Sequence, residues 1–87
     1  MYVNFSKRFT KSLDKASEKI REAFYSRLET FMENKFHPIL SNHLLKGEYK
    51  GYRSINITGD FRALFQEFEN GDIVFFDFFG THSELYK

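Results

Sequence analysis

The apolar positions follow two different spacings, one before His37-Pro38 and another after it. The opening "MYVNF" carries β-prone Tyr, Val and Phe and reads as a short first strand. From Ser6 to about Lys35 the apolar residues fall at three- and four-residue steps: Phe9, Leu13, Ala16, Ile20, Ala23/Phe24, Leu28 and Phe31/Met32. That spacing predicts one amphipathic helical stripe with Lys, Arg and Glu on the other faces. A stripe of this length is long for a small domain, and a break near Ala16-Ser17, with Ser17 capping a second helix, divides it in two. His37-Pro38 closes the helical half, because the residue before proline avoids helical angles.

Beyond that point the period becomes two. "GYRSINIT" puts Arg53, Ile55 and Ile57 on one side and Tyr52, Ser54, Asn56 and Thr58 on the other. Gly59-Asp60 supplies a turn, "FRALFQEF" a strand, and Asn70-Gly71 a hairpin signal ahead of a last strand, "IVFFDFF". The predicted order is strand, helix, helix, then three strands as a meander. This is an α+β two-layer domain over residues 1–87, with two N-terminal helices on one face of a small, mostly antiparallel sheet. On the last strand, simple alternation places Val74, Phe76 and Phe78 under the helices and Ile73, Phe75, Asp77 and Phe79 on the opposite face. That opposite face is either an open groove or a surface over which the tail folds.

Composition narrows the picture. Twelve Phe and five Tyr with no Trp make large rings the main source of buried area. The absence of cysteine excludes a disulfide framework and a thiolate zinc site. No apolar run reaches membrane-spanning length and nothing at the start reads as a signal peptide, so a cytoplasmic location without membrane contact is expected. The net charge is only +1, yet six cations (Lys7, Arg8, Lys11, Lys15, Lys19 and Arg21) crowd the first quarter of the chain. Such a cluster is either a local phosphate-holding patch or a solvated helix face.

Several short motifs then fall in a recognisable order: His43, Leu45-Lys46-Gly47, Gly51-Tyr52-Arg53, Asp60-Phe61, and Gly80-Thr81-His82 followed by Tyr86. Together they resemble the RelE/ParE superfamily of bacterial type II toxins, most closely its YafQ-like branch. The resemblance implies a RelE-like fold with a short C-terminal helical turn. It also implies a ribosome-dependent mRNA endoribonuclease that works by metal-independent acid–base chemistry, needs no cofactor, and is silenced by a cognate antitoxin. Its partners would be that antitoxin, the ribosome and mRNA.

Cutting RNA in this way requires a deprotonated 2′-OH, a stabilised phosphorane and a protonated leaving oxygen. His82, His43 and Asp60 are the candidate proton-transfer groups. Arg62, Arg53, Lys46 and Lys50 are the candidate phosphate partners, with Asn56 and Tyr86 as further RNA contacts. Thr81 and Glu84 fit a capping box that would set His82 in the first turn of a short helix, where free N–H groups gather. Arg62 shares strand parity with Gln66 and so faces the groove. Arg53 shares parity with Ile55 and Ile57, which directs it to the core side unless Gly51 bends the strand. His43 reads equally as an ordinary loop residue, Asp60 as a turn residue that bonds its own backbone, and Tyr86 as a pin for the tail.

Two positions depart from the family pattern. Asn56 stands where YafQ-like toxins tend to carry another histidine, and Asn transfers no proton at neutral pH, which would weaken the activity. Tyr49 replaces a more usual Trp and reads as a packing residue. The alternative is a non-catalytic module of the same fold: a decayed toxin, or one that acts by binding a protein, as ParE-like members do with DNA gyrase.

Overall fold

The structure, a computed structural model, describes residues 1–86. A strand, β1 (Tyr2–Phe5), leads into two helices, α1 (Lys7–Lys15) and α2 (Glu18–Glu33). Both start where the sequence predicts. The Ser6 hydroxyl accepts the Phe9 N–H at 3.0 Å, and the Ser17 hydroxyl accepts the Ile20 N–H at 3.3 Å. Ala16 and Ser17 are both extended, which separates the helices. The apolar stripe continues through the break, so both helices bury the same side: Phe9 and Leu13 from α1, Phe24 and Phe31 from α2. Pro38 opens a single 3-10 turn rather than extending α2.

Four more strands follow: β2 (His43–Leu44), β3 (Arg53–Asn56), β4 (Phe61–Phe68) and β5 (Ile73–Thr81). A one-turn helix, α3 (His82–Leu85), follows β5 directly. The sheet runs in the order β1-β5-β4-β3-β2, with β1 parallel to β5 and the other pairs antiparallel. The predicted meander is therefore present, with β1 added on its outer edge. The two-residue β2 is an addition to the expected set and lifts His43 out of the predicted loop, because so short a strand leaves no period to read. The β4–β5 connection is also wider than a two-residue Asn-Gly turn. Glu69, Asn70 and Gly71 all have positive φ, and the flanking pair is Phe68 with Ile73.

The main correction lies in β5. Phe65 of β4 stands opposite Phe76, but the preceding Leu64 stands opposite Phe78, so Asp77 is an extra, unpaired residue. This β-bulge reverses the alternation beyond it. Val74, Phe76 and Phe79 face the helices and join the main core with Phe9, Phe24, Ile55, Ala63 and Phe65. Phe78, expected under the helices, lies on the other face with Leu64, Leu45 and Leu85, while Tyr49 and Tyr52 pack against them. Phe79, expected on the open face, is only 5 % exposed and touches the rings of Phe9, Phe24 and Phe61.

Asp77 itself is anchored rather than displayed in a groove. Arg8 donates Nε to Oδ1 at 2.9 Å and Nη2 to Oδ2 at 2.7 Å, and the Tyr52 hydroxyl donates to Oδ2 at 2.7 Å. The Arg8 guanidinium also lies 4.0 Å from the centre of the Phe78 ring. The hydrogen bonds from Arg8 outweigh burial and, with that from Tyr52, bring the Asp77 carboxyl down to about 2. Among the described residues, no helix is long and apolar enough to cross a membrane.

Candidate active site

The helices cover one face of the sheet, and register decides which side chains occupy the other. His43 stands opposite Ser54, and Asn56 stands opposite Arg62, which in turn stands opposite Gly80. Directly opposed residues share a face, so His43, Asn56 and Arg62 all belong to the helix-free side with Leu64 and Phe78. Gly80 adds no side chain to its row, and Glu84 and Leu85 of α3 stand over it, 3.1–3.7 Å from where a Cβ would sit.

Two segments fold over the remainder of this face. The 3-10 turn Gly47–Tyr49 and α3 place Tyr49 and Leu85 above Leu64 and Phe78. The tail therefore does cover part of the face, which is one of the two arrangements the sequence left open. Its N-terminal end carries the predicted capping box. The Thr81 hydroxyl accepts the Glu84 N–H at 3.2 Å, and the Glu84 carboxylate accepts the Thr81 N–H at 2.8 Å.

That cap places His82 beside the turn before β4. The His82 N–H donates to the Asp60 carbonyl at 3.0 Å, tying the two candidate residues together through the backbone. The His82 ring lies 4.6 Å, centre to centre, from that of Tyr86. Arg62 donates Nη1 to the carbonyls of Gly59 and Phe61 at 3.1 and 3.0 Å, so its head group curls around the same turn. Arg62 is close enough to Tyr86 to favour the phenolate, although burial dominates and raises the phenol above its ordinary value. His82, Asp60, Arg62 and Tyr86 thus form one neighbourhood, with Asn56 next to Arg62 on the sheet.

His43 reaches the same face from the far edge. Its Nδ1 lies 2.8 Å from the Ser41 carbonyl, and a carbonyl only accepts, so Nδ1 carries the hydrogen. The neutral ring then presents a bare Nε2 able to take a proton. Lys46 and Lys50 flank the Gly47–Tyr49 turn and are exposed.

Arg53 does not join the set. It stands opposite Phe65 on the helix side, donates Nε to the Asn42 side-chain oxygen at 2.8 Å, and lies 5.5 Å from the centre of the Phe36 ring. The strand parity of Arg53 with Ile55 foretold this placement, and Gly51 does not reverse it. The N-terminal cations lie on α1 and α2, and Lys15, at the end of α1, lines a cleft with Phe61, Gly80 and Glu84 beside the first turn of α3. Two of these cations are engaged internally: Arg8 with Asp77, and Arg21 with the carbonyls of Asp14 and Ala16. Among the described residues no group of three or more His, Asp or Glu is gathered to hold a metal ion.

Comparison with known proteins adds a family to this geometry. Residues 1–87 match the family described as "Bacterial toxin of type II toxin-antitoxin system, YafQ". No curated protein matches the sequence significantly. Among solved structures, YafQ from E. coli strain BL21(DE3) is 21 % identical with a TM-score of 0.77, covering 98 % of this chain and 97 % of its own. A YoeB/ParE toxin from Agrobacterium tumefaciens is 16 % identical with a TM-score of 0.78, covering 94 % and 99 %. The E. coli DinJ-YafQ toxin-antitoxin complex contains a chain 22 % identical with a TM-score of 0.74, covering 98 % and 96 %.

Proposed function

The chain belongs to the YafQ family of bacterial type II toxins, and from that premise we propose that it is an endoribonuclease that cuts mRNA on the ribosome, using its own side chains as acid and base. The observation that carries this reading is the neighbourhood of His82, Asp60, Arg62 and Tyr86, gathered where the turn before β4 meets α3 at the edge of the helix-free face.

In this reading a single-stranded message lies across that face with its scissile phosphate near Arg62. One of His82, His43 and Asp60 withdraws the 2′-OH proton and another protonates the departing 5′-oxygen. Arg62 balances the charge that builds on the phosphorane. Asn56 hydrogen-bonds phosphate or ribose, and the exposed Tyr86 ring offers a surface on which a base stacks. Lys46 and Lys50 hold the backbone further along the strand. Arg53, on the other side of the sheet, has no part. The DinJ-YafQ complex supports a cognate antitoxin as the physiological partner.

Induced expression in a bacterium tests the class of function. The reading expects growth arrest with fragmented messages from the native chain and normal growth from His82→Ala. Arrest with intact messages and broken DNA would instead assign the protein to toxins that act by binding a protein target.

A further inference from the structure

α3 is a single turn of four residues, too short to persist unaided. Its start is fixed by the capping box and by the His82–Asp60 backbone bond. Its end is fixed differently. The Tyr49 hydroxyl donates to the Leu85 carbonyl at 2.8 Å, filling one of the carbonyls that a helix terminus leaves without an internal partner.

The donor is itself held. The Tyr49 ring makes edge contacts with Phe78 at 5.2 Å, Tyr86 at 5.4 Å and Tyr52 at 6.1 Å between centres. Tyr52 and Phe78 are in turn tied to the bulge, through the Asp77 carboxylate and the Arg8 guanidinium. Burial raises the Tyr49 phenol above its ordinary value, so it remains a donor at neutral pH. Tyr49 is therefore held by ring packing on three sides, next to the end of α3, where Tyr86 meets His82.

We propose that Tyr49 is a positioning residue: by holding the Leu85 carbonyl, its hydroxyl sets α3 over the open face and so aims His82 and Tyr86. This inference rests on the catalytic reading above. Catalytic rates are sensitive to small displacements, and a shift of about 1 Å costs on the order of a hundredfold.

The test compares Tyr49→Phe with Tyr52→Phe, measuring message cleavage in a translating extract together with NMR signals of the His82 and Tyr86 rings. Tyr49→Phe keeps the ring and loses only the hydroxyl. It is expected to lower kcat by roughly ten- to a hundredfold with KM little changed, to shift both sets of ring signals, and to speed amide exchange at Tyr86. Tyr52→Phe keeps the Tyr49–Leu85 bond and is expected to lower stability while kcat stays near the native value. Native kcat and native ring signals in Tyr49→Phe would overturn the proposal, as would an equal kcat loss in both variants. Should the native chain cut no RNA, the catalytic reading fails by itself. The ring signals of Tyr49→Phe then decide the positioning role: shifted signals retain it and unchanged signals refute it.

Discussion

Asp77 is a carboxylate in a bulge, 5 % exposed, and its ionised form is favoured by Arg8 and Tyr52. Its folded value of about 2 lies below the ordinary 3.8. A carboxyl depressed by folding stabilises the native state above the ordinary value and loses that contribution as pH falls through the folded one. Stability should therefore drop between about pH 4 and pH 2 by on the order of 1–2 kcal/mol, discounted because the Arg8 side chain is largely exposed. Urea unfolding across that range checks this, and Asp77→Asn should flatten the drop. At the same scale, Phe79→Ala should cost about 3–5 kcal/mol as a core truncation. Phe75→Ala, on the half-exposed side, should cost only about 1–2 kcal/mol. Equal costs in thermal unfolding would argue against the bulge. None of this was legible in "VFFDFFG", where plain alternation assigns Phe78 and Phe79 to the wrong faces. A bulge is defined by what the partner strand does, and no local pattern announces it.

Among the elements, those governed by neighbours in sequence were readable. The α1–α2 break at Ala16-Ser17, the stop before Pro38 and the Thr81–Glu84 capping box each depend on residues within one turn, and all appear as expected. β2 was not readable, since two residues make no pattern, and His43 gains its place only by pairing with Ser54. Tyr49 read as packing, and its ring does pack, but its bond to Leu85 spans 36 residues and could not be seen locally. The capping box gives a further prediction. Thr81→Ala should cost about 1 kcal/mol and should accelerate amide exchange at Glu84 and Leu85 before it affects the sheet. Uniform acceleration across β4 and β5 would show that α3 is not a separately held element.

For the molecule as a whole, the two faces of one sheet divide the work. The helix side buries rings from α1, α2, β4 and β5 around Ile55 of β3 and supplies the stability of a small chain. The other side is covered only in part, by Tyr49, Leu85 and their neighbours, and keeps a polar strip with Asn56 and Arg62 under the edge of α3. The two-layer architecture and the assignment of Arg62 and Arg53 to opposite faces were legible because both follow from period. The concentration of cations in the first quarter of the chain does not by itself mark the site, because Arg8 and Arg21 are bound within the fold, while Lys15 lines a cleft with Gly80 and Glu84. The central claim is that the helix-free face, through His82, cuts the message. The most direct measurement is the single-turnover rate of message cleavage in a translating extract for the native chain, His82→Ala and Arg53→Ala. Loss of about a hundredfold or more in His82→Ala, with Arg53→Ala near the native rate, is the predicted result. Equal cleavage by the native chain and His82→Ala, or a loss in Arg53→Ala as large as that in His82→Ala, would contradict it.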